Sequence, residues 1–248
     1  MNNRILYFGL MIIFLISCGD QAKEDKQEAL AEDALQGTWR LVKFIDHGSG
    51  DTTWSTYDDD VLYQKHITPT HFAWLKYERK DDQLSGVGGG AYTFDGETYT
   101  EDIKFFLPPG SSELGQSIPF DVSFTEDGGW YHRGYAKDME FDAESGMMKV
   151  MDSTKIEEIW ERVSAMDTTN AIMGTWKLLQ YRAEKGDSLM SEYPPFVDYM
   201  KLITPSHFFW VQYNNEGDQV MGAGSGTYRY NGETYTENIE MSYPHGSG

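Results

Sequence analysis

Residues 91–101 read Ala-Tyr-Thr-Phe-Asp-Gly-Glu-Thr-Tyr-Thr-Glu, and residues 228–237 read Tyr-Arg-Tyr-Asn-Gly-Glu-Thr-Tyr-Thr-Glu. In each, a turn pair, Asp95-Gly96 or Asn231-Gly232, separates two stretches in which aromatic and polar residues alternate. That pattern is a strong short-range signal for a β-hairpin. A two-residue turn at Asp95-Gly96 sets Phe94 opposite Glu97, Tyr92 opposite Tyr99 and Gly90 opposite Glu101. Side chains alternate across a strand and cross-strand partners share a face. One face therefore carries Tyr92, Phe94, Tyr99, Glu101 and Ile103, and the other mainly Thr93, Thr98, Thr100 and Asp102. The aromatic face is expected to point inward, with Glu101 in or at the rim of the interior. Tyr228, Tyr230, Tyr235, Glu237 and Ile239 repeat the pattern.

The hairpin belongs to a longer internal repeat. Gly37-Thr38-Trp39 recurs as Gly174-Thr175-Trp176, and Ile67-Thr68-Pro69-Thr70-His71-Phe72 as Ile203-Thr204-Pro205-Ser206-His207-Phe208. From Ile67 to Ile103, roughly 20 of 37 positions are identical to those 136 residues later. A period this long predicts that each copy is a whole domain. Copy one is placed at 35–164 and copy two at 172–248, with a short polar linker between them. Copy two stops at a position equivalent to Ser112, so it is expected to be incomplete. Either the chain is cut short or copy two completes its fold with another chain, the first being the favoured reading.

Further strands are expected at Gly37–Phe44, His71–Tyr77, Asp121–Phe124, Trp130–Tyr135, Met148–Met151 and Lys155–Val163, and no long helical period interrupts them. About 125 residues with eight to ten short strands suggest a closed barrel or a sandwich. The composition excludes several functions. Lys+Arg number 20 against Asp+Glu 40, a formal net charge of −20, which disfavours nucleic acid as a partner. The chain is 40% hydrophobic and 15% aromatic, too apolar for a disordered chain. With one cysteine it forms no intrachain disulfide and no Cys₂ or Cys₄ zinc site.

Residues 1–17 read as a signal peptide: Arg4, an apolar run from Ile5 to Ile16, and then Ser17. That run is about a dozen residues, short of the roughly 20 that span a bilayer as a helix. Leu15-Ile16-Ser17-Cys18 resembles a bacterial lipobox, in which the cysteine is lipidated and becomes the first mature residue. The alternative is an ordinary signal peptide with a chance cysteine. The resemblance implies a membrane anchor at Cys18 followed by a polar tether over 18–34. Gly19 is not the aspartate of inner-membrane retention, and Glu24-Asp25 resembles the surface-export tags of some lipoproteins. An outer-membrane lipoprotein, facing the periplasm or the cell surface, is the expected location.

Gly37-x-Trp39 at the start of the first strand is similar to the lipocalin signature, and ITPTHFAW (67–74) with GGGAYTFDGETYTE (88–101) resembles the lipocalin-like domain of bacterial lipoproteins. The resemblance covers nearly all of copy one and the first half of copy two. It implies an all-β, antiparallel up-and-down barrel, in tandem with an incomplete second copy. In that family the tryptophan plugs the barrel floor and an arginine from the last strand packs on it. Trp39 and Arg162 are the matching residues, with Trp176 the counterpart of Trp39. The implied partner is a small apolar or amphipathic ligand. Oligomeric state is left open.

The candidate ligand contacts are Tyr92, Tyr99, Glu101 and His71, with Tyr228, Tyr235, Glu237 and His207 in copy two. A carboxylate on an apolar face needs a ligand, a partner or a raised pKa; Lys65 and Arg133 are the candidate partners of Glu101. His71 lies on one side of its strand with Ala73, Leu75 and Tyr77, and Phe72, Trp74 and Lys76 lie on the other. One histidine per copy is poor evidence for a metal, and a histidine bonded to a neighbouring loop is the simpler reading. Gly86, Gly88, Gly89 and Gly90 precede a strand and lack a following Lys-Ser/Thr, so they mark a bend or bulge rather than a phosphate loop. Asp58-Asp59-Asp60 lacks EF-hand spacing and reads as a solvated acidic loop. No cofactor or metal is expected. Three functions stay open: a binding barrel, an enzyme using Glu101 or His71 as acid–base, and a filled barrel that binds partners through its loops.

Overall fold

A computed structural model describes residues 34–142, 146–163, 170–182 and 191–244, without the side chains of Glu140, Phe141 and Met148. The signal-like segment, Cys18 and most of the tether lie outside the described residues. Eight antiparallel strands close a barrel in sequence order: β1 (Gly37–Asp46), β2 (Val61–Ile67), β3 (His71–Glu78), β4 (Gln83–Phe94), β5 (Thr98–Leu107), β6 (Ser117–Phe124), β7 (Trp130–Asp142) and β8 (Met147–Arg162). Closure is made by β1 against β8, with Trp39 opposite Arg162. The stretches expected as two strands at Met148–Met151 and Lys155–Val163 are one 16-residue strand, because β8 pairs continuously with the equally unbroken β7 across a single bulge.

The 91–101 hairpin forms with a different register. Phe94 pairs with Tyr99, Tyr92 with Glu101 and Gly90 with Ile103, so the turn is centred on Gly96-Glu97 rather than Asp95-Gly96. Asp95 Oδ1 accepts the backbone N–H groups of Glu97 (3.0 Å) and Thr98 (2.7 Å), which holds Asp95 opposite Thr98 and leaves Gly96, at φ +99°, as the first turn residue. A shift of two residues preserves parity. The aromatic face with Glu101 therefore still points inward.

One end of the barrel is sealed. The Trp39 indole donates to Leu35 O at 2.8 Å, and the Arg162 guanidinium lies 4.1 Å from the Trp39 ring while donating to Ala34 O and Gln36 O. Trp39, Trp130, Phe72 and Tyr99 are fully buried above this floor.

The rest of the described chain builds an open five-stranded sheet from β9 (Gly174–Lys177), β12 (Val197–Ile203), β13 (His207–Asn214), β14 (Val220–Tyr230) and β15 (Tyr235–Tyr243), ordered β15-β14-β13-β12-β9; the short β10 (Gln180–Tyr181) and β11 (Ser191–Glu192) pair separately. This sheet covers the outer wall of the barrel. Ala73, Leu75 and Phe105 form one buried cluster with Leu202, Phe209 and Val211. Phe105 stacks on Tyr213 with ring centroids 4.8 Å apart. Polar contacts recur at equivalent positions across the junction: Thr38 Oγ1 meets Thr204 Oγ1 at 2.7 Å, and Thr68 Oγ1 meets Thr175 Oγ1 at 2.6 Å.

Candidate functional site

Alternation along four strands decides what the barrel interior contains. Tyr63 and Lys65 enter from β2, Phe72 and Trp74 from β3, Tyr99 and Glu101 from β5, and Glu158 and Trp160 from β8. A bulge between Gly89 and Gly90, opposite Lys104, changes the parity of β5. Phe105 consequently turns outward against the second sheet and Phe106 turns in beside Trp74, at 5.2 Å. Gly88 lets Trp74 lie flat along the wall, since a Cβ there would stand 2.5 Å from the indole.

The interior has two levels. In the lower one Lys65 Nζ donates to Glu101 Oε1 at 2.6 Å, with both side chains no more than 5% exposed. Rings of Trp160, Trp130 and Tyr99 lie 4.8, 5.3 and 5.7 Å from the ammonium, and Phe72 and Phe120 complete the surround. Next to it, His132 stacks on Phe120 at 4.4 Å and its Nε2 lies 2.6 Å from Glu158 Oε2, which also accepts from Trp160 Nε1 at 3.0 Å. Burial and the Lys65 charge lower the His132 pKa. A neutral ring protonated at Nε2 fits these contacts and leaves Nδ1 a buried acceptor without a partner among the described residues. Burial alone would raise the Glu158 carboxyl, but the bond from His132, with the Lys65 charge and the Trp160 bond, holds it below its ordinary value. The rings of Trp160, Trp130, Tyr99, Phe72 and Phe120 are almost wholly buried at this level.

The upper level is different. Phe44, Tyr57, Tyr63, Trp74 and Phe106 all face inward, yet each keeps partial exposure. They form a continuous aromatic wall: Phe44–Tyr57 at 4.4 Å, Tyr57–Tyr63 at 6.1 Å, Tyr63–Trp74 at 5.5 Å and Trp74–Phe106 at 5.2 Å. Burial and the nearby Glu158 carboxylate push the Tyr57 hydroxyl up to about 12. Lys76 Nζ sits 4.8 Å over the Tyr57 ring. The β5–β6 connection, residues 108–116, is tied to β5 through Gly115 N to Ile103 O (2.9 Å), and to β7 through Ser112 Oγ to Asp138 Oδ1 (2.9 Å). It places Glu113 within the field of Glu101, Glu158 and Lys65. Burial first, then Glu101 and Glu158, raise the Glu113 carboxyl to about 7.

The residues singled out in the sequence fall in several places. Glu101 is inside, paired with Lys65; Arg133 is outside, 2.8 Å from Asp121. Tyr92 and Tyr99 are inside but near the closed floor, because the 95–97 turn lies at that end. The Tyr92 hydroxyl is bonded to Thr68 O at 2.8 Å, and Tyr99 is fully buried. His71 stands on the outer wall with its Nδ1 2.8 Å from Thr70 Oγ1, so the barrel wall separates it from Glu101. His207 is buried where the two sheets meet, its ring 6.1 Å from His66. In the second sheet Lys201 and Glu237 form an ion pair equivalent to Lys65–Glu101 but partly exposed, and the Tyr228 hydroxyl donates to Thr204 O at 2.7 Å. Tyr235 lies 5.4 Å from Tyr228, and Trp176 is half exposed, its indole bonded to Ile172 O at 2.8 Å.

Tyr57, Tyr63, Phe106, Glu113, His132 and Glu158 were not singled out. The alternation of Tyr63-x-Lys65 and Glu158-x-Trp160 was a usable signal, whereas nothing in the local sequence marks Glu113 as a partly buried carboxyl.

No family model and no curated protein sequence matches the chain. Among solved structures, it is similar to an uncharacterized protein of Saccharomyces cerevisiae, YLR301w, with a TM-score of 0.51 and 10% identity over 83% of this chain and 84% of that one. It is also similar to lobster apocrustacyanin A1, with a TM-score of 0.30 and 12% identity over 61% of this chain and 72% of that one. At such identities the first likeness speaks to the fold alone, and the second is too weak to add to it.

Proposed function

We propose that the protein is an envelope-anchored binding protein, held by a lipid on Cys18, whose barrel takes a small amphipathic molecule into its upper level. The observation that carries this reading is the contrast between the two levels. Below, ion pairs and aromatic rings fill the interior; above, five inward-facing aromatic side chains keep solvent contact. Soluble domains seldom leave such a wall open without use. The polar layer of Lys65, Glu101, His132 and Glu158 would floor the pocket, and Tyr63 and Trp74 would grip the ligand's apolar body. Glu101 is spent on Lys65 and His71 lies across the wall, so an acid–base role for that pair has no geometric support.

Native mass spectrometry of the full chain purified from its envelope tests the proposal. An added mass that disappears on denaturation, and is absent from a folded Tyr63→Ala variant, supports it. A bare polypeptide mass across lipid-rich preparations, with no change in tryptophan emission on exposure to lipid extracts, would sink it.

A further inference from the structure

The second sheet is open, and one of its faces exposes residues whose counterparts the barrel buries. Trp176, Lys201 and Trp210 lie in one cross-strand row, and the Lys201–Glu237 ion pair sets Glu237, with Tyr235 and Ile239 beside it on β15, on the same face. Trp39 is fully buried where Trp176 is 50% exposed, and Ile103 is 4% exposed where Ile239 is 53% exposed.

The surround of the two lysines shows what kind of cover this face lacks. Of the five rings around Lys65 Nζ, Phe72 and Tyr99 come from β3 and β5, and Phe120, Trp130 and Trp160 come from β6, β7 and β8. Around Lys201 Nζ the counterparts of the first two are in place, Phe208 at 5.4 Å and Tyr235 at 5.6 Å, and among the described residues nothing stands in for the other three. The Trp176 indole is nonetheless posed as Trp39 is, each donating at 2.8 Å to the carbonyl four residues earlier. Trp39 carries the Arg162 guanidinium on its ring, and no cation lies over Trp176 among the described residues. Both edges of the sheet are also free there: β15 is bonded only to β14 and β9 only to β12, whereas their counterparts β5 and β1 pair with β6 and β8. Unpaired edges template further strands, and an open tryptophan face attracts a guanidinium.

We propose that this face of the second sheet is a docking surface for a partner β-segment of three antiparallel strands with the chemistry of β6–β8. Its first strand pairs with β15 and its last with β9, as β6 and β8 pair with β5 and β1 in the barrel. The last strand lays an arginine over Trp176, and inward aromatic side chains complete the surround of Lys201.

The test uses the full chain and, as partner, residues 113–164 of the same sequence carried on a soluble fusion protein. Light scattering after size exclusion should show a one-to-one complex. Hydrogen exchange should slow at the amides of Gly174–Lys177 and Tyr235–Tyr243 and stay unchanged along β1 and β5, and tryptophan emission should move to shorter wavelength as Trp176 is covered. Arg162→Gln in the partner segment, which leaves the chain itself untouched, should weaken binding about tenfold, as loss of one desolvated cation–π contact implies. Trp176→Leu in the chain, with folding checked by near-ultraviolet circular dichroism, should weaken it to a similar degree. No complex, protection that falls on β1 and β5 because the segment exchanges into the barrel, or an affinity unchanged by both substitutions would overturn the proposal. So would a dimer of the chain alone with β9 and β15 already protected, since the face would then belong to a second copy.

Discussion

Replacing Glu101 by glutamine would strand the Lys65 ammonium inside the barrel. The pair is 2.6 Å apart, with side-chain exposures of 3% and 5%, so water cannot take the place of the lost carboxylate. Removing one partner of a buried pair costs about 3–5 kcal/mol, because the remaining charge keeps its desolvation penalty and loses its compensation. The five rings around Lys65 Nζ offset part of that loss, which points to the low end, about 3 kcal/mol. For a chain of this size that corresponds to a fall in Tm of roughly 6–12 °C. The double variant Lys65→Met with Glu101→Gln removes both charges while keeping volume, and should lie within about 1 kcal/mol of the parent. Urea unfolding of the four species, followed by tryptophan emission and far-ultraviolet circular dichroism together, closes the cycle. A single-variant cost under 1 kcal/mol, or a double variant no better than the single, would refute the argument that this pair is held in a dry interior.

Other perturbations follow from the same geometry. Gly88→Ala drives a methyl group to 2.5 Å from the Trp74 indole and should cost about 1–3 kcal/mol while shifting the tryptophan emission; an unchanged spectrum and urea midpoint would contradict the placement of Trp74 along the wall. Arg162→Lys keeps the charge but loses the fork that spans Ala34 O and Gln36 O, and should lower stability by about 1–2 kcal/mol in thermal unfolding at neutral pH. His66 is buried between the sheets with its pKa pushed well down by burial and by His207, so the unfolded chain takes up that proton first. Its contribution is complete above the unfolded value of about 6.5 and is lost as pH falls below it, by up to about 1.4 kcal/mol at pH 5.5. Glu113, with its raised pKa, works in the opposite direction, contributing most below the ordinary carboxylate range and losing it as pH rises through about 7. The comparison that isolates His66 is therefore parent against His66→Leu at pH 7.5 and 5.5; equal acid sensitivity of the two would dismiss this role.

Much of the barrel was legible from alternation. The inward set of Tyr92, Phe94, Tyr99, Glu101 and Ile103 holds although the turn moved from Asp95-Gly96 to Gly96-Glu97, because a two-residue slip returns every side chain to its face. The exact cross-strand partners were not legible, since they depended on the Asp95 carboxylate accepting from the residues after the turn. Of the residues read as ligand contacts in the first repeat, Tyr92 and Tyr99 lie low in the barrel, near its sealed end. They carry the aromatic pattern, but the short hairpin lies at the sealed end, and the partly exposed aromatic side chains come from β1, β2, β3 and β5 toward the other end and from the β1–β2 connection.

By itself, the sequence determined that this chain is all-β and which residues share a face, because the pleat has a period of two and each strand carries that period locally. The repeated Ile-Thr-Pro and Gly-Glu-Thr-Tyr-Thr-Glu segments likewise stand in the sequence without a structure. Only the tertiary structure decided which end of the barrel is sealed, which of Phe105 and Phe106 turns inward, and what covers the apolar outer face of Ala73 and Leu75. These depend on strand lengths around a closed ring, on one bulge, and on a second sheet far away in the chain. Glu113 is the clearest case: it lies in a connection with no alternation, and becomes partly buried because β6 begins late and residues 108–116 run between β5 and β7.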